Sequence, residues 1–308
     1  MKAIRVYAVL IASLLWQLSF GQDANKTGLS SKINSIPFQL TDYNNLSVQA
    51  ILNNKDTVHL MFHTAANAVT LTEESMKKVK SLSFDGADTV KSWGGENNVS
   101  RFSKSNVLKI AGLQWQNVPI WENKNSGPQT DGKFGIDLFE NKVIELDFDN
   151  KTMFVHRELP TKTKKYQKVK LFFEDDMMFL EGNCLVGDTL LSNKFLIHSG
   201  YSGGILFDDA FAGNNKLDEK LTIIAEKELK DSFGNVLKTK KAIVPKFMLG
   251  NEVLQNVPVG FFSGALGRQK ISVIGGDILK RFNVIIDAQR EHIYLKANRL
   301  KNTSYTNT

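Results

Sequence analysis

A pattern that occurs twice, about 140 residues apart, constrains the fold of this chain more than any other feature of its sequence. Residues 135–139 (GIDLF) match residues 275–279 (GGDIL), 140 positions later. Residues 62–65 (FHTA) match residues 197–200 (IHSG), 135 positions later. Because the matches keep their order at nearly one spacing, they indicate two copies of one structural unit.

Short strand patterns dominate the chain. Residues 58–62 (VHLMF) and 194–197 (KFLI) are apolar segments of strand length, bounded by turn residues. One good helix is predicted from Thr72, a favourable N-cap residue, to about Leu82. The sequence therefore predicts a mostly β protein with few short helices. Its predicted parts are a signal peptide (1–21), an N-terminal β lobe (22–160), a linker (161–168), a C-terminal β lobe (169–300) and a disordered tail (301–308).

The first 21 residues have the features of an export signal. Lys2 and Arg5 precede an apolar run, and residues 19–21 (SFG) form a small-x-small cleavage site. The apolar run of about ten residues is shorter than the roughly 20 residues that a membrane span needs. These features predict a secreted or periplasmic protein with a cleaved signal peptide and no membrane span.

Composition narrows the classes of function. Hydrophobic residues make up 42% of the chain, which is enough for a folded core. The net charge of +7 comes from lysines interspersed with acidic residues, which argues against a nucleic-acid partner. The one cysteine, Cys184, excludes an internal disulfide framework and a zinc site of several thiolates. No nucleotide or zinc-protease motif is present, so no cofactor is predicted.

In each copy a strand leads into a short loop with a hydroxyl residue, and an apolar-Gly-x-Asp turn follows later. This layout resembles that of the two-lobed aspartyl proteases, most closely the secreted bacterial members of the pepsin/retropepsin-like group. The resemblance implies a duplicated acid-protease β-barrel architecture with a cleft between the lobes. It also implies a monomeric protein that binds an extended peptide or other small ligand under a flap, whose candidate residues are Trp93, Gly94 and Gly95.

The sequence differs from that family at the two catalytic positions. Each family loop begins with a catalytic aspartate, and the two aspartates share one proton. In this chain the matching positions, which are the candidate dyad positions, hold His63 and His198. The loop residues that follow match the family's bracing and ligand-contacting positions: Thr64 and Ser199, then Ala65 and Gly200. Pepsin-like activity is therefore expected to be lost.

Three functions are compatible with a chain that keeps the family's fold but has neither catalytic aspartate. The first is a pseudoenzyme, whose non-catalytic cleft binds a peptide or other ligand. The second is a peptidase-like hydrolase that uses His63 and His198 as acid and base. Two close imidazoles would lower each other's pKa and leave one ring neutral and one charged near pH 7. The third is a metal ion bridged by the same pair, for which the sequence shows no third ligand.

Overall fold

The computed structural model describes most of the chain from residue 34 onward. The described residues are 34–91, 97–124, 126–230, 236–264 and 269–306. The predicted signal peptide and the flap candidates Trp93, Gly94 and Gly95 lie outside the described residues.

The first copy of the repeat forms an eight-stranded sheet, with strands numbered along the chain. Across the sheet the strands are β2 (Gln39–Leu40), β3 (Leu46–Leu52), β4 (Asp56–Phe62), β9 (Gly132–Phe134), β5 (Val69–Thr72), β8 (Leu113–Asn123), β7 (Asn97–Ile110) and β6 (Gly86–Lys91). A further pairing joins β3 to β7. Alternate residues of these strands, among them Leu60, Phe62 and Phe134, point into the hydrophobic core.

The second copy forms another eight-stranded sheet with the same strand order. Across this sheet the strands are β13 (Phe172–Glu174), β14 (Met177–Val186), β15 (Thr189–Ile197), β20 (Ser272–Ile274), β16 (Ile205–Leu206), β19 (Glu252–Gly264), β18 (Val236–Leu249) and β17 (Ile223–Lys230). Its additional pairing, β14 with β18, is equivalent to the pairing of β3 with β7. The predicted duplicated, two-lobed β architecture is confirmed.

A third, six-stranded sheet contains strands from both copies. Across this sheet the strands are β1 (Asn34–Pro37), β11 (Thr152–His156), β10 (Val143–Asp147), β21 (Phe282–Ile286), β22 (His292–Ala297) and β12 (Gln167–Lys170). Strands β10 and β21 are repeat equivalents, and they pair antiparallel with Ile144 opposite Ile286. The predicted linker holds a 3-10 helix (Thr161–Lys165) and the start of β12, while the lobe boundaries stay predictions.

Helices are few and short, as predicted. They are α1 (Glu73–Lys78), α2 (Asp209–Asn214), α3 (Leu217–Lys220), α4 (Gly276–Leu279) and a further 3-10 helix (Ile136–Phe139). Helix α1 begins after its predicted cap Thr72, whose hydroxyl accepts the N–H of Ser75 (3.2 Å). The predicted end near Leu82 is wrong, because Asp56 Oδ2 accepts the N–H groups of Lys80 (3.1 Å) and Ser81 (2.8 Å) in an extended segment. None of the helices within the described ranges is long and apolar enough to cross a membrane.

Residues 301–306 differ from the disordered tail that the sequence predicts. They pack against Arg281, which is fully buried and donates to the carbonyl groups of Lys301 and Thr303 (both 2.8 Å). The ring of Tyr305 lies 3.7 Å from the same guanidinium, and the N–H of Thr306 donates to a carboxylate on α4 (2.8 Å). The tail is ordered because it supplies the acceptors that a buried cation requires.

Candidate functional site

His63 and His198 lie directly after the ends of two equivalent strands. His63 follows β4, and its N–H donates to the carbonyl of Phe134 in the parallel neighbour β9 (2.9 Å). His198 follows β15, and its N–H donates to the carbonyl of Ile274 in the parallel neighbour β20 (2.9 Å). The two imidazoles thus leave the two sheets at matching places.

Hydroxyl groups of the two loops cross-link the copies next to the histidines. Thr64 Oγ1 accepts the N–H of Ser199 (3.0 Å) and donates to the carbonyl of Ile197 (2.7 Å). Ser199 Oγ accepts the N–H of Thr64 (3.0 Å) and donates to the carbonyl of Phe62 (2.8 Å). Both side chains are buried, so every bond in this symmetric network is costly to break. The network holds the two histidine loops together.

The two imidazole rings are in contact. Their centroids lie 4.5 Å apart, and the ring planes meet at 71°. The backbone at Gly200 passes directly beside the rings. A Cβ there would lie 2.4 Å from Cδ2 and Nε2 of His63 and 3.3 Å from Cε1 of His198. Any residue larger than glycine would therefore displace the His63 ring.

Desolvation keeps both rings neutral. His63 is only 7% exposed, and desolvation lowers its pKa well below the usual 6.5, helped by electrostatic repulsion from His198, once that ring is protonated, and from Lys133. Desolvation likewise lowers the pKa of His198 to about 4, with a smaller effect of Lys133. The sequence-based expectation of one neutral and one charged ring at pH 7 is therefore wrong, because desolvation disfavours the charged form of both rings.

The hydrogen bonding of His63 selects one tautomer. The backbone N–H of Ala65 donates to Nδ1 of His63 (3.1 Å). A backbone amide is only a donor, so Nδ1 is unprotonated and the neutral ring carries its proton on Nε2. In this state Nε2 can donate a hydrogen bond, but it cannot act as a general base.

Lys133 is a site residue that the sequence analysis does not identify. It lies in the middle of β9 and is half-buried, and desolvation lowers its pKa. Its ammonium group lies near enough to lower the pKa of both His63 and His198. The repeat contains a sequence signal for this residue. At the 140-residue offset, the charged Lys133 matches the apolar Val273.

The other candidates fall in different surroundings. Ala65 packs against an apolar cluster of the second sheet that includes Leu196. Cys184 is fully buried, which raises the pKa of its thiol to about 12. Within the described part of the chain, no group of three or more His, Cys, Asp or Glu side chains could hold a metal ion.

No protein-family model matches this chain, and no curated protein matches its sequence. The structure is similar to the crystal structure of an aspartic proteinase from Irpex lacteus, with a TM-score of 0.57 and 12% sequence identity. The match covers 88% of this chain and 99% of that chain. The chain therefore has the fold of a pepsin-like aspartic proteinase, which confirms the architecture that the sequence predicts.

Proposed function

We propose that this protein is a non-catalytic binding protein in which His63 and His198 occupy the catalytic aspartate positions of an aspartic proteinase. Its cleft holds an extended peptide or a similar ligand and leaves it intact. The protein acts as a secreted or periplasmic monomer after removal of its signal peptide. The observation that carries this proposal is the pair of adjacent, neutral imidazoles at the cross-linked strand ends.

The chemistry of the pair supports binding rather than cleavage. An aspartic proteinase needs one ionised and one protonated carboxyl group that share a proton. His63 holds its proton on Nε2 and uses Nδ1 for the backbone of Ala65. His198, with a pKa of about 4, is a neutral imidazole at pH 7, so it does not serve as a general acid there. The pair therefore lacks the shared proton of the proteinase mechanism.

The same observations weigh against the two alternatives. An acid–base pair of histidines needs one charged ring, and desolvation disfavours a charge on either His63 or His198. A zinc ion takes three or four protein ligands, and the pair supplies two. Neither alternative has an observation in its favour.

The test combines a binding assay and a cleavage assay on one substrate. Labelled oxidised insulin B chain, an extended polypeptide, is mixed with the mature protein at about pH 3–4 and at about pH 7. Fluorescence anisotropy measures binding, and mass spectrometry measures cleavage. We expect saturable binding at neutral pH and an intact B chain at both pH values. Pepstatin-sensitive cleavage at acidic pH would overturn the proposal, and so would a lack of binding.

A pair of glycine substitutions locates the bound peptide. Gly200→Ala forces the His63 ring to move, since a Cβ there lies 2.4 Å from the ring. Gly213→Ala in α2 is the matched control, because its Cβ meets no atom within 4 Å. We expect Gly200→Ala to weaken binding about tenfold or more, and Gly213→Ala to leave it unchanged. Equal affinities of the two variants would place the peptide elsewhere.

A further inference from the structure

A row of side chains crosses the first sheet on the face that His63 shares. Met61 lies two residues before His63 in β4, so both point to the same side, opposite to the core residue Phe62. Lys133 in β9 is the register partner of Met61, and Thr70 in β5 is the register partner of Lys133. Side chains of register partners stand on the same face of a sheet.

The row ends at an aromatic pair. Trp121 in β8 is the register partner of Thr70, and it packs against Phe102 in β7 with ring centroids 4.8 Å apart. Lys133 and Thr70 therefore stand between the histidine pair on one side and an aromatic surface on the other.

Two polar groups in the middle of this row have no hydrogen-bond partner among the described residues. Lys133 makes no hydrogen bond or ion pair with any described residue, although desolvation acts on its ammonium group. Its strand neighbour Thr70 is 9% exposed, and its hydroxyl is buried without a hydrogen-bond partner. A buried polar group without a partner is unfavourable, and a partly desolvated charge without a counter-charge is unfavourable as well. Both groups can donate to an acceptor, and none of the described residues supplies one.

The second lobe lacks this feature. The residue equivalent to Lys133 is Val273, and its register partner Leu196 lies two residues before His198. Both are buried in an apolar cluster with Phe179. The two sides of the histidine pair thus differ, one cationic and one apolar, although the backbone is duplicated.

From this geometry we infer that Lys133 and Thr70 form a subsite for a carboxylate of the bound ligand. The ammonium group of Lys133 supplies the charge and the hydroxyl of Thr70 a second hydrogen bond. A glutamate side chain fits the row best, because its methylene groups can lie against Trp121 while its carboxylate reaches Lys133. The inference rests on the proposed function and adds the class of ligand, an acidic peptide.

Three alanine-based pentapeptides test this subsite. The first two have blocked termini and carry a central glutamate or a central glutamine, respectively. The third has a free C-terminal carboxylate and no acidic side chain. Binding to the mature protein is followed by the NMR resonances of the His63 and His198 rings. We expect the glutamate peptide to bind about tenfold more tightly than the glutamine peptide, as a charge-assisted hydrogen bond predicts. Tightest binding of the third peptide would assign the subsite to a chain terminus.

Single substitutions test whether Lys133 and Thr70 cause the preference for the glutamate peptide. Lys133→Met removes the charge and keeps a long apolar chain, so it is expected to fold and to lose the preference for glutamate. Thr70→Val removes only the hydroxyl and is expected to reduce the preference. Lys246→Met, on an exposed position of β18, changes the net charge equally and is expected to keep the full preference. Thermal unfolding confirms that each variant is folded.

The outcomes separate this inference from the proposed function. Equal binding of the glutamate and glutamine peptides, or an unchanged preference in Lys133→Met, would overturn the carboxylate subsite while the binding cleft stands. Binding of insulin B chain without binding of any pentapeptide would also overturn the subsite. Failure of the pentapeptides and of insulin B chain together would overturn both proposals.

Discussion

At the scale of single residues, the desolvation of two imidazoles makes their protonation part of the stability of the fold. The pKa of His198 is about 4 in the folded protein, against the usual 6.5. Below pH 6.5 the unfolded chain takes up a proton that the folded chain does not bind. The free energy of unfolding therefore decreases as the pH is lowered. The loss from this residue begins near pH 6.5 and is complete near pH 4, where the folded chain is protonated as well. His63 acts in the same direction.

A stability measurement on one variant tests this linkage. A pKa shift of this size corresponds to on the order of 3 kcal/mol between pH 7 and pH 4. Urea unfolding at both pH values is expected to show a smaller acid destabilisation for His198→Asn than for the native protein. Carboxylates elsewhere also titrate in this range. The effect of His198 is therefore the difference in acid destabilisation between the native protein and the variant. An identical pH dependence would mean that His198 is not desolvated.

At the scale of structural elements, the cross-linked loops carry the strongest local prediction. Thr64→Val keeps the side-chain volume but leaves the N–H of Ser199 and the carbonyl of Ile197 buried without their partner. We expect the free energy of unfolding to fall by roughly 2–4 kcal/mol, measured by urea denaturation. Thr57→Val, at an exposed position of β4, is the matched control and should change stability by less than about 0.5 kcal/mol. Similar losses in both variants would mean that the loop network contributes little.

The elements also show what the sequence could predict. The duplication, the strand ends at His63 and His198, and the bracing hydroxyls follow from short patterns that recur at one spacing, because each copy folds by the same local rules. The six-stranded sheet could not be predicted, since Ile144 meets Ile286 through a pairing between distant segments. Which face of β9 carries Lys133 depends on strand register, which the sequence alone leaves open.

At the scale of the whole molecule, the proposed function combines the fold of an aspartic proteinase with histidines at the two catalytic positions. The double variant His63→Asp/His198→Asp restores two carboxylates at adjacent, cross-linked positions. Two carboxyl groups at this distance share a proton, so we expect the variant to cleave insulin B chain at acidic pH. Each single variant has one carboxylate and should stay inactive. A folded double variant without activity would contradict the assignment of these positions.

The most direct test of the central claim is an NMR titration of the two rings in the native protein. Selective ¹⁵N labelling of histidine, with His63→Asn and His198→Asn for assignment, reports both the protonation and the tautomer of each ring. We predict neutral rings at pH 7, a midpoint of about 4 for His198, a pKa of His63 well below 6.5, and the Nε2–H tautomer for His63. A ring that titrates at or above pH 6.5, or a charged ring at neutral pH, would contradict the account and favour acid–base chemistry at this pair.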